Sequence, residues 1–281
     1  IPEVQVIATG STALELAASI NEPLTGRKFE FHLPALSFEE LATESGMLGE
    51  TRALPHRLVF GSYPEIVVHP GDEIDRLKLL ADSYLYKDLL TLGELKRPQL
   101  LEKILRALAL QLGNEVNYAE VSRLVGAAIG TVEKYIDLLT KAFIVFELPA
   151  FARNVRNEIS RSRKIYFHDN GIRNAVLGNF QPIENRTDIG ALWENYLVSE
   201  RRKRWGNQAK APSIHFWRTT QQQEIDYVEA STDCIEAFEF KWSPHAKARL
   251  PKTFSRAYPE AGFKVVTRQN YAEFLLPARS K

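Results

Sequence analysis

The sequence predicts a multi-domain α/β protein, and three observations carry that expectation. The 281 residues are 44% hydrophobic and 25% charged, a globular composition in a chain long enough for about two or three cores. The middle of the chain reads as amphipathic helices followed by two strand-like runs. The C-terminal part reads as a helix, three strand-like runs, a weak helix and a final strand.

Residues 4–10 (VQVIATG) read as a strand fit for burial, and residues 11–17 as the helix after it, capped by Ser11 or Thr12. One strand at a terminus cannot bury both faces alone. Because the chain starts at Ile1 and its one methionine is Met47, an upstream segment is expected to complete that sheet. Residues 29–33 alternate apolar and polar as a strand does, and Ser37 with Glu40 has the spacing of a capping box. Over 72–92, Ile74, Leu77, Leu80, Tyr84, Leu85 and Leu89 recur at three- and four-residue intervals, a helical stripe suited to a core. Leu100, Ile104, Leu105, Leu108 and Leu112 repeat the pattern up to a stop at Gly113 and Asn114. Residues 118–125, ending at Gly126, and 130–142, carrying Val132, Tyr135, Ile136, Leu138 and Leu139, follow as helices across a tight turn. Residues 143–148 and 164–168 then read as strands. Helices followed by a hairpin predict a winged helix.

The presumptive recognition helix bears Glu133, Lys134, Asp137 and Lys141, a balanced set that gains little from a phosphate backbone. The wing, with Arg153, Arg156, Arg161 and Arg163, is the better candidate for contact with DNA, and packing on a protein partner is the alternative use of the module. His168-Asp169-Asn170-Gly171 follows an apolar strand with turn residues in series, which predicts a turn with a capping Asp. The run Arg201-Arg202-Lys203-Arg204 trails a predicted helix. Positive charge suits a helix C-terminus; its functional alternative is steering phosphate, with Arg201 and Arg202 as candidates.

Glu194 lies on that helix, Asp226 in the strand-like run 223–228, and Glu239 and Lys241 in a second strand-like run. Alternation puts Glu239 and Lys241 on one face while Phe238, Phe240 and Trp242 pack on the other. If the two strands are neighbours, their carboxylates converge on one hard cation with an ammonium beside it. A mutually neutralising, solvated pair is the alternative for Glu239 and Lys241. The order of helical Glu, then Asp, then Glu-x-Lys resembles the PD-(D/E)xK nuclease pattern. That resemblance implies magnesium or manganese held by Glu194, Asp226 and Glu239. It makes Asp226, Glu239 and Lys241 the catalytic set, with Lys241 assisting attack of water on a phosphodiester. It equally admits a nuclease-like fold whose site no longer cuts.

A wider resemblance rests on ATG-ST-ALEL, LTGRKFEFHLPALSFEEL, GSYPEIV, SYLYKDLL, NEVNYAEVSRLVG, TVEKYIDLL, FARNVRNEI, KIYFHDNGIRN, DIGALWENYL and FWRT. These strings resemble prokaryotic AAA+ ATPases whose C-terminal half is the domain of unknown function 4143. The resemblance implies a remnant of the AAA+ core over 1–45 and a helical linker or lid over 46–98. A winged helix over 99–180 and a restriction-endonuclease-like α/β domain over 181–281 complete the order. It also implies nucleotide-facing roles for Thr9, Ser11 and Arg27. The sequence contains no GxxxxGKS/T loop, so ATP is expected only with a P-loop region upstream, and this chain alone is not expected to hydrolyse it. The function so implied is a DNA-acting protein with a magnesium-dependent nuclease-like domain; its alternative is a non-catalytic regulatory or interaction module with no metal site.

Thirty-six Lys and Arg against 35 Asp and Glu give +1, so nucleic-acid affinity must come from local patches. The lone Cys234 excludes a disulfide framework and a Cys-rich zinc site, which fits a reducing, cytoplasmic setting. No apolar run approaches the roughly 20 residues that span a bilayer, and no secretory leader is read at the start. No membrane partner and no small-molecule ligand beyond nucleotide are expected.

Overall fold

The computed structural model describes residues 31–82, 97–152, 162–206, 211–232 and 234–276, with residues 7, 9, 10 and 29 besides. Helix α1 (Phe38–Ser45) opens with the predicted capping box: Glu40 N donates to Ser37 Oγ at 3.2 Å, and Ser37 N donates to the Glu40 carboxylate at 2.8 Å. Helices α2 (Met47–Phe60), α3 (Pro64–Val67) and α4 (Glu73–Asp82) follow. Leu54 and Leu58 of α2 and Leu77 of α4 are buried. The predicted stripe beyond Asp82 lies outside the described residues.

Helix α5 (Pro98–Leu110) buries Leu100, Leu101, Ile104, Leu105 and Leu108. Asn117 caps α6 (Tyr118–Val125), its side chain accepting from Ala119 N at 2.9 Å, and Gly126 ends it at φ +69°, a conformation that favours glycine. Helix α7 (Ile129–Lys141) turns Val132, Tyr135, Ile136, Leu138 and Leu139 inward. Strands β1 (Val145–Pro149) and β2 (Arg163–Phe167) pair antiparallel, Val145 opposite Phe167.

Asp169 caps α8 (Asn170–Leu177), accepting from Gly171 N at 2.7 Å and Ile172 N at 3.2 Å. The long α9 (Ile189–Gly206) leads into a four-stranded sheet of β3 (Ser213–Arg218), β4 (Glu224–Ala230), β5 (Ile235–Phe240) and β6 (Gly262–Val266), in that spatial order. The first two pairings are antiparallel and β5–β6 is parallel. The parallel pairing requires a crossover, which contains α10 (Lys252–Ala257). Helix α11 (Tyr271–Leu275) packs beside α9.

One face of this sheet joins a core that also contains Leu108, Val145 and Trp193, through Tyr227, Phe238 and Phe240, with Phe274 of α11 in the same core. The other face packs Trp217, Val228 and Ala237 against Phe254 and Tyr258. The described residues thus form a mixed α/β protein with two sheets. One expectation changes. Residues 31–34 form no strand among the described residues, and Phe29, Phe31 and Leu33 are 92%, 89% and 92% exposed; their alternation finds no described strand to pair with. His32 instead packs on Phe143 at 4.0 Å between ring centroids. Of the nucleotide-facing candidates, Thr9 is exposed outside any element, and Ser11 and Arg27 lie outside the described residues.

Candidate functional site

Helix α9 is clamped to β2 by Asn195, whose Oδ1 accepts from Phe167 N at 2.8 Å and whose Nδ2 donates to Phe167 O at 3.1 Å. The clamp sets the neighbouring Glu194 against Lys164 and Tyr166, which share a strand face by their i, i+2 spacing. Glu194 Oε1 accepts from Lys164 Nζ at 2.9 Å and from the Tyr166 hydroxyl at 2.5 Å. Lys164 Nζ also meets Glu224 Oε1, at the start of β4, at 2.5 Å. Arg218 on β3 stands 3.6 Å from Glu224 Oε2 and 3.0 Å from Glu115 Oε2.

The β4–β5 register, Tyr227 opposite Phe238, places Asp226 beside the Glu-x-Lys strand, and Asp226 Oδ2 accepts from Phe240 N at 2.7 Å. Burial, then the charges of Glu194 and Glu239, push the Asp226 carboxyl well above its usual range against the pull of Lys164. Lys241 Nζ meets Glu239 Oε1 at 2.7 Å, and Lys241 N donates to Val266 O at 2.9 Å, which extends the strand contact past Phe240. Burial alone would lower the Lys241 ammonium; Glu239, with Asp226 and Glu194, outweighs it and raises it. The structure therefore brings Glu194, Asp226, Glu239 and Lys241 into one interacting neighbourhood.

Among the described residues no three His, Cys, Asp or Glu side chains are grouped as a metal centre. The bonding explains why: Lys164 and Tyr166 hold Glu194, the Phe240 N–H holds Asp226, and Lys241 holds Glu239. The donor chemistry nonetheless fits a hard dication. Glu194 Oε2, Asp226 Oδ1 and Glu239 Oε2 accept no hydrogen bond from the described residues, and the buried Asp226 sits among like charges. Space is kept beside Glu194 Oε2 because residue 113 is glycine at φ +77°, where a Cβ would stand 3.2 Å from that oxygen.

The arginine candidates fare differently. Arg201, expected at a phosphate-facing helix end, is buried, with Nε and Nη2 on the Glu229 carboxylate at 2.6 and 2.7 Å. Arg202 lies over the Phe146 ring at 4.4 Å and reaches His168 Nε2 at 3.3 Å. Arg201 is turned inward onto the sheet and is not a free phosphate contact, whereas Arg202 is half-buried and engaged by Phe146 and His168. Arg163 is paired across the hairpin with Glu147 at 3.1 Å and lies over Tyr118. Arg153, Arg156 and Arg161 lie outside the described residues.

Residues 51–182 match Domain of unknown function (DUF8612), and residues 189–276 match Domain of unknown function (DUF4143). Two domains of unknown function are thus found in this chain. Glu194, Asp226, Glu239 and Lys241 fall within the DUF4143 match, whereas Lys164 and Tyr166 fall within the DUF8612 match. The uncharacterized proteins Mb2031c of Mycobacterium bovis and Rv2008c of Mycobacterium tuberculosis are each 31% identical over 153 residues, 53% of this chain and 34% of theirs. An uncharacterized protein of Haemophilus influenzae is 25% identical over 210 residues, 69% of this chain and 52% of its own. The chain thus spans about a third to a half of these relatives' length. No solved structure matches. Among the described residues no helix is long and apolar enough to cross a membrane.

Sequence reasoning missed Lys164, Tyr166 and Glu224. The sequence held only half a signal for Lys164: a lysine opening the apolar run Ile165-Tyr166-Phe167 calls for a carboxylate partner if buried, and nothing local names that partner.

Proposed function

We propose that the DUF4143 segment is a PD-(D/E)xK-type nuclease domain that hydrolyses phosphodiesters with magnesium or manganese. One observation carries the reading: Asp226 on β4 lies beside Glu239 on β5 and Lys241 just past its end, with Glu194 brought to the same neighbourhood from α9. The helix–strand–strand–strand–helix–strand order, antiparallel except for the final pair, supports it. Glu194, Asp226 and Glu239 would hold the ion, which when bound supplies positive charge for the phosphate oxygens. Lys241, its ammonium anchored on Glu239, orients the attacking water and donates hydrogen bonds as charge builds on the phosphate. The aromatic residues beneath β5 keep that strand in register.

Helices α5 to α7 with the β1–β2 hairpin act, in this reading, as a winged helix that presents DNA. The exposed face of α7 is partly self-neutralised, Lys141 meeting Asp137 at 2.7 Å, so contact falls to the segment bearing Arg153, Arg156 and Arg161. ATP hydrolysis, in this reading, would require a P-loop, which the given sequence does not contain. A second reading, a non-catalytic interaction module, is favoured by the burial of Lys164 among the carboxylates.

Cleavage of DNA by wild type and Lys241→Ala, in magnesium and in manganese, separates the two. Lys241 is 38% exposed in its side chain, so the variant is expected to keep its circular dichroism and melting temperature while cleavage falls by about 10²-fold or more. Equal cleavage by both proteins removes Lys241 from the mechanism. No cleavage by wild type in either metal, with no metal bound, favours the second reading.

A further inference from the structure

The Lys164 ammonium is the most enclosed cation of the acidic neighbourhood, its side chain 1% exposed. It meets Glu194 Oε1 at 2.9 Å and Glu224 Oε1 at 2.5 Å, and it feels the charge of Asp226. Its aliphatic stem is held in β2, opposite Leu148 of β1, and its Nζ lies 5.5 Å from the Phe216 ring centroid. A hard dication held by the open oxygens of Glu194 and Asp226 would stand close to this ammonium, which sits on the other oxygen of Glu194. Like charges that close in a buried site repel far beyond thermal energy.

We propose that Lys164 is the resident counter-ion of the carboxylate cluster, delivered by the β1–β2 hairpin, and that a divalent cation binds by displacing its ammonium from Glu194. The inference rests on the metal-site reading above. It assigns the DUF8612 segment a direct part in the DUF4143 site: the hairpin holds the cluster neutral without metal, and its position sets how readily metal enters. Tyr166, neutral and one strand step away on the same face, keeps its hydrogen bond to Glu194 in either state and so keeps that carboxylate aimed.

The test is a calorimetric titration of manganese into this chain and into Lys164→Met, paired with thermal unfolding with and without manganese. The variant is expected to bind manganese about tenfold or more tightly than wild type and to gain more in melting temperature from the metal. Should the metal-free variant fail to fold, recovery of its fold by manganese is the same result in another form. Lys164→Gln, which retains a donor for Glu194, is expected to shift affinity in the same direction. Equal or weaker binding by the variants, with wild type binding normally, overturns displacement and leaves Lys164 as a group that positions Glu194, the metal site itself standing. No manganese bound by any of the three proteins overturns both.

Discussion

Asp226→Asn is expected to abolish metal-dependent cleavage and, in the same protein without metal, to raise thermal stability at neutral and alkaline pH. The two effects have one cause. Burial and the nearby charges of Glu194 and Glu239 hold the folded-state carboxyl well above its ordinary value, so the fold favours the protonated form. A carboxyl shifted in this direction contributes stability that is fully present below its unfolded pKa of about 3.9 and is lost as pH rises through the raised folded value. Asparagine never charges, so the advantage of the variant should grow with pH, and its side-chain oxygen still accepts from Phe240 N. Manganese should reverse the ranking, stabilising wild type by mass action and leaving the variant unchanged. Melting curves across pH with and without manganese check this. A variant less stable at every pH, or one that still binds manganese, contradicts it.

Arg201→Met is expected to cost about 3–5 kcal/mol, the usual consequence of stranding one member of a buried ion pair. The guanidinium makes two bonds to Glu229, reaches the Phe274 carbonyl and lies over the Phe274 ring at 4.6 Å. Glu229 keeps Trp205 Nε1 at 2.6 Å, too little to satisfy a buried carboxylate. Against a typical total of about 5–15 kcal/mol, this is a large fraction of what holds α9 and α11 on the sheet. Adding Glu229→Gln should recover much of the loss, because the stranded charge causes it. Urea unfolding of the single and double variants gives the comparison. An Arg201 variant within about 1 kcal/mol of wild type would mean the pair is solvated in solution.

Much of the fold was legible because periodicity and caps are local. The stripe from Leu100 to Leu108, the Gly126 end of α6, and the alternation of Phe238, Glu239 and Phe240 each appear in the structure as read. Helix α8 was read only as a capped turn: Asp169 was seen, but Gly171 so close to the start hid the helix. That glycine is required by packing, since a Cβ there would stand 2.1 Å from Phe60 O, a contact distant in sequence. Helix α11 is too short for a period to show. The site candidates carried by the Glu-x-Lys strand were legible because strand alternation fixes their face. Lys164 was not, because its partners Glu194 and Glu224 follow it by 30 and 60 residues and arrive only when β2, α9 and β4 assemble. Arg201 misled for a related reason: charge near a helix end reads as surface, and nothing local announces Glu229.

The most direct measurement is anomalous diffraction from a crystal of this chain soaked in manganese. The account predicts one strong peak within coordinating distance of Glu194, Asp226 and Glu239, with the Lys164 ammonium drawn away from Glu194 Oε1. An ordered carboxylate cluster with no peak, Lys164 still seated on Glu194 and Glu224, would contradict it.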